Sequence, residues 1–142
     1  ATHCRLSRRF YRALGTGMVI SVDSPIDDKV RSAMESLIED YEHVLSRFRN
    51  DSLIAAIGKA EHGGSFDFPD WCAPLFDLYD ALFSATSGAI DPCVGEDLIR
   101  LGYDASLSFT VTQDAPEHLG ALRGRAVWGR DVTRHGTTFG NA

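Results

Sequence analysis

The chain has 142 residues, 44% hydrophobic and 24% charged, the balance of an ordinary globular protein, and its length suits a single domain over 1–142. A formal net charge of -6 argues against a surface built to neutralise nucleic-acid phosphates, an affinity that depends on concentrated Lys and Arg. No apolar run reaches the ~18 residues that cross a bilayer as a helix, and Cys4, Cys72 and Cys93 lack CxxC spacing, so they read as buried or free thiols.

At the N-terminus Arg5, Arg8, Arg9 and Arg12 interleave with Phe10 and Tyr11. This basic stretch, residues 1–12, reads as a solvated terminal arm; the alternative is a grip on an anionic ligand or surface. No signal peptide is visible, and no apolar run precedes Cys4 to make it a lipidated cysteine.

Gly17 to Asp23 is β-branched and apolar, with Met18, Ile20 and Val22 on one face, and predicts a strand leaving Gly15-Thr16. Ser24 is expected to cap the helix that follows, with Pro25 in its first position and Asp27 as the acid of a capping box. The helix carries one apolar stripe of Val30, Met34, Leu37, Ile38, Tyr41, Val44, Leu45 and Phe48, with Arg31, Glu35, Glu39, Asp40 and Glu42 off it. Such a stripe needs a sheet or another helix to cover it.

Arg49 to Ser52 breaks the pattern and offers a cap to a short helix from Leu53 to Ile57, closed by Gly58. Gly63-Gly64-Ser65 predicts a loop and Phe66-Asp67-Phe68 a short extended piece. Pro69-Asp70 leads into a helix with Trp71, Leu75, Leu78, Tyr79, Leu82 and Phe83 facing inward, Pro74 in its first turn and Gly88 at its end. Beyond Gly102, Leu107, Phe109 and Val111 alternate, as do Ala126, Trp128 and Val132, and predict strands. His135-Gly136 predicts a hairpin turn, and 137–142 a further strand without visible partners. The fold class expected is α+β, two main helices packed on a mostly antiparallel sheet.

Four segments bring small or polar residues together: Leu14-Gly15-Thr16-Gly17-Met18, Leu45-Ser46-Arg47-Phe48-Arg49-Asn50-Asp51-Ser52, Ser84-Ala85-Thr86-Ser87-Gly88-Ala89-Ile90-Asp91-Pro92, and Val94-Gly95 through Leu101-Gly102-Tyr103. Phe48 either stacks on a flat ring or ends the helix's packing stripe. Leu14 offers an apolar contact or simply packs at a strand edge. Gly88 and Ala89 leave the backbone open to a flat ligand. Asp91 either accepts from a ribose hydroxyl or ring N–H, or stabilises its own turn with Pro92. Thr86, Asp51 and Ser52 have sufficient reason to be there as caps and turn formers. His3, His43, His62, His118 and His135 are scattered, none at the four-residue spacing that sets two metal ligands on one helical face.

In order and spacing these segments resemble the FAD:protein FMN transferases of the ApbE type: a Gly-Thr lead into a strand, a helix ending Leu-Ser-x-aromatic-x-x-Asp-Ser, then Thr-x-Gly-Ala-x-Asp-Pro-x-Val-Gly. The resemblance runs from about Ala13 to Phe139 and covers roughly the first half of a family member. It implies half of that family's fold. It also implies an activity: the pyrophosphate of FAD is cleaved, FMN is attached through its phosphate to a threonine of a target redox protein, and AMP is released with Mg2+.

FAD contacts are implied at Leu14, Phe48, Ala89, Ile90 and Asp91. Two positions depart from the family's habit, Leu14 where Met is common and Phe48 where Tyr is usual. The family's later Gly-x-x-x-Lys-Gly segment and its Asp/Thr magnesium cluster have no counterpart, since the lysines, Lys29 and Lys59, lie in no such segment. No metal ligand or catalytic residue is therefore assigned in this chain, and those of the family are expected in its other half. Self-association of the chain through uncovered apolar surface is expected, as is a cell-envelope or membrane-associated setting by resemblance. Two other readings stand beside the transferase: a non-catalytic flavin or nucleotide binder, and an inactive structural remnant.

Overall fold

The computed structural model describes residues 6–60 and 62–141, so His3, Cys4 and Arg5 lie outside the described residues. The chain divides into two compact units, 1–55 and 56–142.

In the first unit β1 (Leu6–Ala13) pairs antiparallel with β2 (Thr16–Val22) in a two-stranded ribbon. The stretch expected as a basic arm is thus, from Leu6 onward, a strand. Its pairing is made by main-chain groups, which a run of arginines can supply as well as an apolar run. In β2 Met18, Ile20 and Val22 are half-buried while Val19 and Ser21 are exposed, the alternation expected from the sequence.

Next comes α1 (Asp28–Leu45). Its cap is Asp27, whose carboxylate accepts from the Val30 N–H at 2.7 Å. Ser24 and Pro25 therefore precede the helix rather than begin it. Asp27 serves as the cap because its short acceptor reaches the free N–H groups of the first turn directly. On the stripe Met34, Ile38, Val44, Leu45 and Phe48 are half-buried, while Val30, Leu37 and Tyr41 remain 48, 68 and 40% exposed. Among the described residues of α1 none is fully buried.

Ser52, almost fully buried, caps α2 (Leu53–Gly58) by accepting from the Ala55 N–H at 3.0 Å. Its hydroxyl also lies 2.5 Å from the Ser46 carbonyl and 3.2 Å from that of Arg49, which ties the turn after α1 into a knot.

The second unit holds a three-stranded antiparallel sheet of β3 (Gly64–Asp67), β4 (Val132–His135) and β5 (Thr138–Asn141), with β5 central. The end of the chain is thus not a strand without partners, because β5 pairs with β3 on one side and β4 on the other. Gly64 and Ser65, expected in a loop, already belong to β3. The α+β class holds, but the strands form two sheets rather than one.

A short 310 turn (Asp70–Cys72) leads into α3 (Ala73–Ala85), which ends where the Gly88 N–H returns to the Phe83 carbonyl at 2.8 Å. The buried residues here are Cys72 and Phe76, whereas Trp71 and Leu78, expected inward, are 46 and 52% exposed. The phase was set by Phe68 and Phe139: Phe76 meets their rings edge-on at 5.0 and 4.4 Å, and Trp128 closes the cluster at 5.5 Å from Phe139. Burying each such ring contributes roughly 1.5–3 kcal/mol.

Between these lie α4 (Gly95–Arg100), α5 (Ala115–His118) and α6 (Trp128–Asp131). Trp128 therefore opens a helical turn instead of lying in a strand. The alternation at Leu107, Phe109 and Val111 is likewise not a strand. Leu107 and Phe109 both take left-handed φ angles of 53° and 49°, and an extended ladder cannot pass through them. Asp104 holds this segment instead, accepting from the backbone and hydroxyl groups of both Ser106 and Ser108. Those bonds, that from the Ser108 hydroxyl first, hold its carboxyl far below the usual range.

Candidate functional site

Leu14 and Gly15 are the two central residues of the β1–β2 hairpin, with φ angles of 55° and 75°. A two-residue hairpin needs this left-handed pair so that the turn's twist matches that of its strands. Glycine adopts it freely, but a leucine there strains its Cβ against the next carbonyl. Leu14 nonetheless leaves its side chain half exposed. Its backbone N–H donates to Oε1 of Glu42 on α1.

Leu14, Tyr41, Glu42, Leu45, Ser46, Arg47 and Phe48 line one open cleft of about 210 Å3. Pockets for drug-sized ligands measure roughly 300–1,000 Å3, so this smaller cleft suits one ring system. The Arg47 guanidinium lies 4.2 Å from the centroid of the Phe48 ring, a cation–π pair. Gly15 approaches the same ring so closely that a Cβ there would come within 3.4 Å of Phe48 Cε2.

Arg49 braces the turn behind the cleft. Its guanidinium grips both oxygens of Asp51 at 2.9 Å and reaches Glu39 Oε1 at 2.7 Å. The hydrogen bond from Arg49 lowers the Asp51 carboxyl to about 2.

Ala89, Ile90 and Asp91 lie in the second unit. The Thr86 hydroxyl donates to the Leu82 carbonyl at 2.7 Å and accepts from the Ile90 N–H at 3.0 Å, so it shapes the loop as expected of a cap. Ala89 and Ile90 are exposed, and Asp91 is buried. Asp91 Oδ1 accepts from the N–H groups of Cys93 and Trp128 at 2.9 and 3.3 Å, and Oδ2 accepts from Arg125 Nη1 at 2.9 Å. Both oxygens therefore already have protein partners, and the carboxylate anchors its loop from within.

Arg125 is buried too, and its Nε lies 2.8 Å from Asp97 Oδ2. Burial works against its charge, but the hydrogen bond and charge of Asp91, with the charge of Asp97, outweigh it and raise the guanidinium pKa. Beside them, burial and then the charge of Asp91 push the Cys93 thiol up to about 12, so it is no thiolate at neutral pH.

Leu14 and Phe48 are thus brought into one cleft, and Ala89, Ile90 and Asp91 form one braced loop. Glu42 and Arg47 at the first, and Arg125, Asp97 and Trp128 at the second, were not singled out from sequence. Glu42 had one signal: it stands four residues after Ile38 and three before Leu45, on the helix's half-buried side. Among the described residues no group of three or more His, Cys, Asp or Glu could hold a metal ion, and no helix is long and apolar enough to cross a membrane.

No protein-family model matches this sequence, and no curated protein does. Solved structures do. The apo flavinyl transferase ApbE of Pseudomonas stutzeri aligns with a TM-score of 0.71 at 17% identity, over 97% of this chain and 45% of its own. The flavin transferase ApbE of Vibrio cholerae gives 0.71 at 18%, over 96% and 45%. The ApbE protein of Thermotoga maritima gives 0.59 at 20%, over 95% and 44%. The chain spans less than half the length of each of these structures. Likeness at such identities is one of fold: this chain has the fold of the ApbE flavin transferases over a little under half of their length.

Proposed function

We propose that this chain carries part of the flavin-binding apparatus of an FAD:protein FMN transferase. The observation that supports it is that Leu14 and Phe48, two positions at which the motif resemblance implies FAD contacts, line one ring-sized cleft in a chain that has a flavin transferase fold. An aromatic face and an apolar side chain suit a flat ring, which gains from stacking and from leaving water. In the second unit, taken by itself, Asp91 anchors the exposed Ala89–Ile90 loop from within rather than standing as a free acceptor.

The transfer itself is the finer part of the proposal: FMN from FAD to a threonine of a target protein, with Mg2+ and release of AMP. The described residues supply no metal-holding cluster, so no step of that reaction is assigned to their side chains. A second reading stands beside it, in which the chain binds flavin without transferring it. Incubation with FAD, Mg2+ and a threonine-bearing peptide, followed by mass spectrometry, separates the two. A peptide heavier by an FMN group supports transfer, and FAD binding without that product selects the second reading.

A further inference from the structure

Leu14 is the strained residue of the cleft, and something must hold it. Its φ of 55° is one that glycine adopts readily and leucine avoids, and the hairpin tip is half exposed, so packing does little to enforce it. The group that meets it is Glu42. This residue sits on the half-buried side of α1 with its side chain only 17% exposed, and its Oε1 accepts the Leu14 backbone N–H across 28 positions of sequence. Its other oxygen lies 3.9 Å from Arg49 Nη1, which keeps the carboxylate facing positive charge.

Resting on the flavin-binding reading of this cleft, we propose that Glu42 is a positioning residue: its carboxylate clamps the Leu14 amide, holds the hairpin tip left-handed, and so fixes the Leu14 side chain in the wall it shares with Phe48. The clamp is specific in geometry. It joins the helix bearing Tyr41 and Leu45 to the hairpin bearing Leu14 and Gly15, so one hydrogen bond sets the width of the cleft. A charge-assisted bond of this kind is about twice as strong as a neutral one.

Two readouts test it together, amide hydrogen exchange at Leu14 and FAD fluorescence titration. Glu42→Gln keeps an acceptor oxygen in nearly the same shape and should leave Leu14 exchange slow and FAD affinity within about twofold. Glu42→Leu removes the acceptor; Leu14 exchange should quicken and FAD affinity fall on the order of tenfold, while exchange in the rest of α1 is unchanged. Should Glu42→Leu fail to fold, Glu42→Asp keeps the charge but withdraws it by one methylene, and should give the same pair of changes. Unchanged Leu14 exchange in Glu42→Leu or Glu42→Asp, or a Glu42→Gln as impaired as Glu42→Leu, would overturn the clamp. A wild-type chain that ignores FAD contradicts the binding reading instead, and the exchange experiment then decides the clamp alone.

Discussion

Arg125 donates to Asp91 at 2.9 Å with both side chains buried, and its far side meets Asp97 at 2.8 Å. The pair joins the Ala89–Asp91 loop to the segment that leads into α6, across 34 positions of sequence.

Removing Arg125 leaves Asp91 buried without its cation, so Arg125→Ala should destabilise the chain by roughly 3–5 kcal/mol, whereas Asp91→Ala should cost less because Arg125 keeps Asp97 at 2.8 Å. Asp91→Leu combined with Arg125→Met should recover much of that loss, because the desolvation of both charges disappears together. Chemical denaturation measures all three. A double variant no more stable than the singles would mean the pair is not the anchor described.

Gly102 should tolerate no side chain. Its φ is 88°, and a Cβ would stand 2.3 Å from the Thr110 backbone nitrogen, while its own carbonyl accepts from the Phe109 N–H at 2.8 Å. Backbone cannot yield as a side chain can, so Gly102→Ala should cost about 3 kcal/mol or more, measured as a shift in the denaturation midpoint.

Leu14→Gly should do the opposite to stability and harm binding. Glycine relieves the left-handed strain, a gain of about 1 kcal/mol, while removing the apolar contact of the cleft. Thermal unfolding and FAD titration on the same sample check both. A variant less stable than wild type would contradict the account of Leu14 as strained.

Acid should loosen the turn behind the cleft at unusually low pH. Arg49 depresses the Asp51 carboxyl to about 2, so the stabilisation is complete above the ordinary value near 3.8 and is lost as pH falls through 2. NMR titration of the Asp51 carboxyl should give a midpoint near 2, and Asp51→Asn should flatten this part of the acid unfolding curve. A midpoint near 3.8 would mean the bidentate pair does not persist in solution.

What could be read from sequence was what is local. The α1 stripe, the alternation of Met18, Ile20 and Val22, the Ser52 cap and the His135-Gly136 turn each depend on neighbours within a few residues. The misreadings have more than one source, and the first is itself local. Leu107 and Phe109 alternate like a strand, but a hub of bonds to Asp104 bends the backbone left-handed, which residue type alone does not encode. Residues 1–12 read as an arm because the pairing of β1 with β2 is made by main-chain groups that its arginines do not advertise. The buried ion pair of Asp91 with Arg125 and the bond of Leu14 to Glu42 join residues 34 and 28 positions apart, and no periodicity marks such partners. The motif resemblance, by contrast, indicated the fold, because its segments keep their order along the chain.

The uncovered apolar residues bear on behaviour in solution. Leu37 on α1 is 68% exposed and Phe109 is 73% exposed. The isolated chain should bind a hydrophobic dye and associate with itself, and Leu37→Glu should lower both. Light scattering that finds a monodisperse monomer without dye binding would contradict this.

A flavin site at Leu14 and Phe48 is tested most directly by titration of FAD fluorescence with the wild-type chain and with Phe48→Leu. Saturable quenching by the wild type, weakened on the order of tenfold in Phe48→Leu, which keeps apolar bulk and loses only the ring, is the result this account predicts. No quenching by the wild type, or equal quenching by both, would contradict it.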